Sequence, residues 1–166
     1  MGDFQLSNEC FEVKSTFGNY LVDFSSHKEF LDNTDHAKTI LVIDKTIYKS
    51  FQSSFTSFLE KNILVIDSSE KSKSFEYSTT ILNELLKKKI KKDYTLIAIG
   101  GGTLQDLTAF AASIIYRGIE WNFIPTTLLA QCDSCIGSKT SINFRSYKNV
   151  LGNFYPPKKV IIDIKN

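Results

Sequence analysis

Cysteine is scarce in this sequence: three in 166 residues, an odd number, which speaks against a disulfide framework. Histidine is scarcer still. His27 and His36 lie early in the chain without metal-ligand spacing, and no histidine follows Asp133, so the chain by itself offers no convincing metal site. Only three prolines stand beside thirteen phenylalanines, a balance that fits a compact, well-packed domain. No apolar stretch reaches the length of a membrane span. Residues 1–14 lack the basic and apolar regions of a signal peptide, and the expected compartment is the cytoplasm. Excess charge is missing too: the formal net charge is +2, which argues for neither a nucleic-acid nor a membrane partner. The one basic cluster, Lys87-Lys88-Lys89-Ile90-Lys91-Lys92, follows Ile81, Leu82, Leu85 and Leu86. It reads as the solvated end of an amphipathic helix, where cations suit the helix dipole.

What is present is an alternation of strand and helix within one domain large enough to bury a core. Phe11 to Lys14 and Tyr20 to Phe24 read as short strands turning at Gly18-Asn19, and Ser25 or Ser26 as the cap of a short helix through Leu31. Five apolar runs follow: Thr39 to Ile43, Asn62 to Ile66, Leu96 to Ile99, Trp121 to Ile124 and Val160 to Ile162. Such unbroken runs suit parallel strands covered on both faces. Helical patterns lie between them, at Ile47 to Leu59, Phe75 to Lys88, Leu104 to Tyr116 and Thr126 to Cys135. The expected fold is α/β, a Rossmann-like, doubly wound, mostly parallel sheet with right-handed crossovers. Ligands in such sheets sit outside the carboxyl ends of the strands, which would gather Asp44, Asp67, Gly100 to Gly102 and Pro125 to Thr127 on one edge.

Several residues there are able to do chemistry. Gly100-Gly101-Gly102 follows a strand and opens a helix, as a phosphate-binding turn does. The dinucleotide fingerprint would place a third glycine where Gln105 stands, however, and would lie in the first βα turn. A tight turn with positive φ is the rival reading. Asp44, ending the first core strand, suits a ribose diol or a helix N-cap equally. A buried Asp133 near Lys139 would hold a polar substrate or form a structural ion pair, the commoner case. Cys132 and Cys135 form C-x-x-C late in an apolar helix and read as buried, inert thiols.

Three segments together, GGGTLQDLTAFAASIIYRG, PTTLLAQCDSCIGSKTSIN and YKNVLGNFYPPKKVIID, resemble the 3-dehydroquinate synthase family of sugar-phosphate cyclases in order and spacing. Glu70-Lys71-Ser72-Lys73 resembles the family's E-x-x-K cofactor motif. The resemblance implies NAD and a divalent metal, usually zinc. It implies a lyase reaction in which a sugar phosphate such as 3-deoxy-arabino-heptulosonate 7-phosphate is oxidised, loses phosphate, is reduced and closes to a ring on the shikimate route to aromatic amino acids. By resemblance, Asp44, Glu70 and Lys73 hold the adenosine end. Gly101, Gly102 and Asp106 meet the pyrophosphate and nearby ribose, and Thr126, Thr127 and Leu129 line the nicotinamide side. Asp133, Lys139 and Asn149 act at the substrate beside Lys148. Arg117 matches an arginine that reaches the phosphate of a neighbouring subunit, which implies a homodimer.

The chain departs from the family at Gln105 and Ser138, usually glycine, at Tyr147, which stands in place of a glycine, and at Thr46 and Cys135. These departures leave the substrate open, another sugar phosphate being an alternative. The family's metal ligands, one Glu and two His, lie in a helical second half. Residues 1–166 are therefore expected to be the NAD-binding N-terminal domain without the metal-binding C-terminal domain, and inactive alone. Rival readings are a metal-dependent alcohol dehydrogenase and a non-catalytic NAD-binding or dimerisation module.

Overall fold

The computed structural model describes residues 10–164. A seven-stranded sheet runs in the order β1-β2-β9-β6-β5-β3-β4. Its strands are β1 (Cys10–Val13), β2 (Tyr20–Asp23), β3 (Thr39–Asp44), β4 (Ile63–Ile66), β5 (Thr95–Gly100), β6 (Glu120–Pro125) and β9 (Lys159–Ile161). All pairings are parallel except β1 with β2. The expected α/β class and mostly parallel sheet are thus present. The helices are α1 (His27–Asp32), α2 (Lys45–Phe51), α3 (Phe75–Lys87) and α4 (Gly102–Ile114).

The apolar runs have the predicted cause. Alternate residues of each central strand enter different cores, because side chains alternate across a strand. Ile40, Val42, Leu96, Ala98, Trp121 and Phe123 pack with α3 and α4. Leu41, Ile43, Ile97, Ile99 and Ile124 pack with Leu31, Phe55 and Phe58 on the other face. Covering both faces leaves no polar alternation to read.

Four local expectations are corrected. The helix expected over Ile47 to Leu59 stops as α-helix at Phe51 and continues as a 3-10 turn over Gln52–Phe55. Ser53, Ser54, Thr56 and Ser57 are weak helix formers, and Thr56 Oγ1 bonds the Ser53 carbonyl. The helix expected over Thr126 to Cys135 is helical only over residues 128–134 and takes π geometry over Ala130–Ser134, here called the π-turn. Ser26 occupies the N-cap of α1 without a side-chain cap bond. Asp163 caps from across the sheet instead: its Oδ2 accepts from the His27 backbone N–H at 3.0 Å and lies 2.6 Å from His27 Nδ1. Finally, a second sheet that the sequence reading omitted pairs β7 (Ile142–Phe144) with β8 (Tyr147–Leu151). It docks on the Glu70–Ser74 loop, where Asn143 N–H donates to the Lys73 carbonyl at 2.9 Å. At the end of α3 the lysines are anchored as well as solvated: Lys87 pairs with Glu84 at 2.7 Å, Lys88 Nζ donates to the Lys61 carbonyl and Lys92 Nζ to that of Gly118.

Candidate functional site

Parallel order places the loops after β3, β4, β5 and β6 on one edge. At β3, Asp44 is the N-cap of α2: Oδ1 accepts from Thr46 N–H at 2.7 Å and Ile47 N–H at 3.2 Å. Its Oδ2 accepts from Ser68 Oγ, a residue the sequence reading missed. Burial pushes the Asp44 carboxyl up, but the bonds from Ser68, Thr46 and Ile47 outweigh it and hold the group below its ordinary value. A lowered folded pKa adds stability above the unfolded pKa, and that stability is lost as pH falls through the folded one. Asp44→Ala is therefore expected to cost about 1 kcal/mol at neutral pH. In a pH series of urea melts the deficit should shrink through the acid range. A deficit that stays constant with pH would refute this account.

At β5, the glycine loop has no positive φ; Gly18, Gly118 and Gly152 are the glycines that have it among the described residues. The tight-turn reading is overturned, and close approach replaces it. A Cβ on Gly101 would lie 3.2 Å from Thr127 Cγ2, and one on Gly102 would lie 3.3 Å from Ser134 Oγ. The glycines thus let the loop after β5 press against the loop after β6, where Thr126 N–H donates to the Gly100 carbonyl at 2.9 Å. The N-cap of α4 is Gly101, which has no side chain to cap the helix, and among the described residues this leaves backbone N–H donors available for an anion.

One turn into α4, Asp106 pairs with Lys73 at 2.7 Å, both side chains largely buried. Burial pushes the Asp106 carboxyl above its ordinary range while the Lys73 ammonium pulls against it. Lys73 Nζ also donates to Asn149 Oδ1 at 2.9 Å. Asn149 Oδ1 accepts from Ser141 Oγ at 2.6 Å, and its N–H donates to Asn143 Oδ1 at 2.8 Å. Asn143 reaches Glu70 at 3.4 Å. Glu70, Lys73, Asp106 and Asn149, named from three separate segments, therefore form one polar cluster. Ser141 and Asn143 belong to it and escaped the sequence reading, their only signal being position beside Lys139 and Thr140.

Lys139 and Asn149 line a recess of about 370 Å³ with Thr140, Ser141 and Gly152. Thr126 faces a separate cavity of about 170 Å³ between α2 and the ends of β5 and β6, with Ile47, Phe51, Ile99 and Ile124. Thr127, Leu129 and Lys148 are exposed. Asp67 stays at the edge as an exposed turn residue whose Oδ1 accepts from Ser69 N–H at 3.0 Å.

Three expectations fail here. Asp133 is exposed rather than buried. It forms no ion pair with Lys139 among the described residues. Of the two thiols only Cys135 is buried, its pKa pushed up to about 11 by burial. Cys132 and Asp133 both lie on the π-turn, whose exposed side they occupy. Arg117 does not join the cluster. It precedes β6, at the amino edge, on a turn in which Tyr116, Arg117 and Gly118 all have positive φ, a strained arrangement of the kind functional sites store. Among the described residues no group of three His, Cys, Asp or Glu is placed to hold a metal ion, and no helix is long and apolar enough to cross a membrane.

Comparison with known proteins extends this picture. The family model for the 3-dehydroquinate synthase N-terminal region matches residues 63–166. The chain is 46% identical to 3-dehydroquinate synthase of Picrophilus torridus, over 82% of this chain and 39% of that one. It is 41% identical to that of Dictyoglomus thermophilum, over 93% of this chain and 44% of the other. It thus spans about half the length of the curated relatives it matches. Among solved structures, 2-epi-5-epi-valiolone synthase from Streptomyces hygroscopicus subsp. jinggangensis, with NAD+ and Zn2+ bound, is 30% identical with a TM-score of 0.75, over 87% of this chain and 42% of that chain. The fold alone is shared with 2-deoxy-scyllo-inosose synthase complexed with carbaglucose-6-phosphate, NAD+ and Co2+, at 24% identity and a TM-score of 0.80, over 93% and 46% of the two chains.

Proposed function

This chain belongs to the 3-dehydroquinate synthase family, and on that premise we propose that residues 1–166 are the NAD-binding half of a phosphate-eliminating sugar-phosphate cyclase. The observation that carries the reading is the cluster of Lys73, Asp106 and Asn149 beside the uncapped start of α4. Free N–H donors suit a pyrophosphate, and the partly buried Lys73 ammonium suits the polar adenosine end. The Asp106 carboxylate suits a ribose hydroxyl. Asp44, already fixed by Ser68, would take the adenosine ribose with Glu70 nearby, and Gly101 and Gly102 would lie along the pyrophosphate. Thr126, Thr127 and Leu129 would line the nicotinamide side. NAD supplies hydride acceptance and return.

The chain's own residues bind and orient the substrate. Lys139 and Lys148 supply cations for a phosphorylated polyol, Asn149 a hydrogen-bonding amide, and Asp133 a carboxylate able to align a hydroxyl or take its proton. Arg117 lies at the far edge and is assigned to the phosphate bound by a second copy, so the active form is a homodimer. The described residues supply no metal ligand set. The family's metal ligands lie in its helical second half, which would hold zinc or another divalent ion to polarise the substrate hydroxyl and carbonyl. The substrate is 3-deoxy-arabino-heptulosonate 7-phosphate or a related sugar phosphate; Gln105 and Ser138, at positions the family gives to glycine, favour keeping the second option. The compartment is the cytoplasm.

Calorimetric titration tests the reading. NAD is expected to bind this chain, zinc to leave that binding unchanged, and Asp106→Ala to weaken it about tenfold or more. Absence of binding at millimolar NAD, or binding indifferent to Asp106→Ala, would refute it.

A further inference from the structure

Gln105 is the least expected residue of the glycine loop, and its surroundings give it a task. Its side chain is buried, with 4% exposure. Nε2 donates to the Ser134 carbonyl at 2.6 Å, and Oε1 accepts from Ser134 Oγ at 2.9 Å. A backbone carbonyl only accepts, so the amide has one orientation that satisfies both bonds. One face of α4 is therefore clamped to the last residue of the Ala130–Ser134 π-turn, and Gly102 keeps the gap narrow.

A π-turn carries one more residue per ring than an α-turn. It is rare and needs fixing from outside. The ring here is closed by Cys135 N–H donating to the Ala130 carbonyl at 3.1 Å. Its register decides which side chains face out. Cys132 is exposed while Cys135 is buried at 1%, and Asp133 is exposed between them. Reverting to α-register would rotate everything after the change by about 100°, carrying Asp133 away from its present aim and Cys135 out of the core.

We propose that Gln105 is a positioning residue that holds this π-turn in register through Ser134, and so sets where Asp133 meets the substrate. The second clause rests on the role given to Asp133 above; the first does not. In the full-length polypeptide, Gln105→Met keeps the bulk and removes both bonds. Peptide-resolved iodoacetamide labelling, with exposed Cys132 as internal reference, should show Cys135 labelled about tenfold faster in this variant. Ser134→Ala, which removes one bond, should act in the same direction and serves if Gln105→Met folds poorly. With a sugar-phosphate substrate, kcat should fall about tenfold while the NAD Kd stays within about twofold. Cys135 as protected in both variants as in the parent would overturn the clamp. Faster labelling with unchanged kcat, together with full activity of Asp133→Asn, would leave the clamp standing and sink the reading of Asp133.

Discussion

Gly152→Ala is expected to destabilise the protein by about 3 kcal/mol or more, whereas Gly137→Ala should be close to neutral. A Cβ at position 152 would lie 1.9 Å from the Thr140 carbonyl oxygen and 2.8 Å from its carbon, while one at position 137 meets nothing within 4 Å. Backbone cannot step aside as a side-chain tip can, and Thr140 is doubly tied. Its N–H donates to the Asn153 carbonyl at 2.9 Å. Its hydroxyl accepts from Asn153 N–H at 2.9 Å and donates to Asn153 Oδ1 at 2.8 Å. Relief must come from opening the β7–β8 hairpin, and that hairpin carries Asn149 and borders the recess of Lys139. Gly152→Ala should therefore lose binding of a sugar phosphate along with stability. Equal urea midpoints for the two alanine variants would refute the packing account.

The same hairpin marks where the sequence stops being legible. The five buried strands announced themselves because both faces of the sheet are covered: β3 was expected at Thr39 to Ile43 and runs Thr39–Asp44. β8 is exposed along nearly its whole length, so no apolar period betrays it, and β7 has only three residues. The candidate site divides in the same way. Asp44, Glu70, Lys73, Asp106 and Asn149 were readable as motif positions. The contacts that bind them were not, because they are long-range: Ser68 meets Asp44 across 24 residues, Asn149 meets Lys73 across 76 and Asp163 meets His27 across 136. Local capping rules chose Ser25 or Ser26 for α1 since they weigh only neighbours, and a carboxylate arriving from β9's end displaced them. The glycine loop was legible as residue type, but its close approach to Thr127 and Ser134 was not, because no local window contains those partners.

Lys73→Ala is the second large effect, and its size depends on pH. Lys73 is the cation within 2.7 Å of Asp106, and the two side chains are only 12% and 17% exposed. Removing one partner of a buried pair strands the other charge. Because these groups keep some contact with water, the expected cost is about 2 kcal/mol, below the range for fully buried pairs. Burial already pushes the Asp106 carboxyl up against the pull of Lys73, so losing the ammonium raises it further. A carboxyl raised in the folded state binds its proton more tightly there than in the unfolded chain. Stability relative to the parent therefore recovers as pH falls through the raised value, and the deficit is greatest at alkaline pH. Asp106→Ala added to Lys73→Ala should restore much of the loss, since no charge is then stranded. NAD binding should not recover in the double variant, because the cofactor would lack both the Lys73 ammonium and the Asp106 carboxylate. Urea melts across pH separate the two consequences: a deficit constant with pH, or a double variant no more stable than Lys73→Ala, would show that Asp106 is solvated and that this pair is an ordinary surface contact.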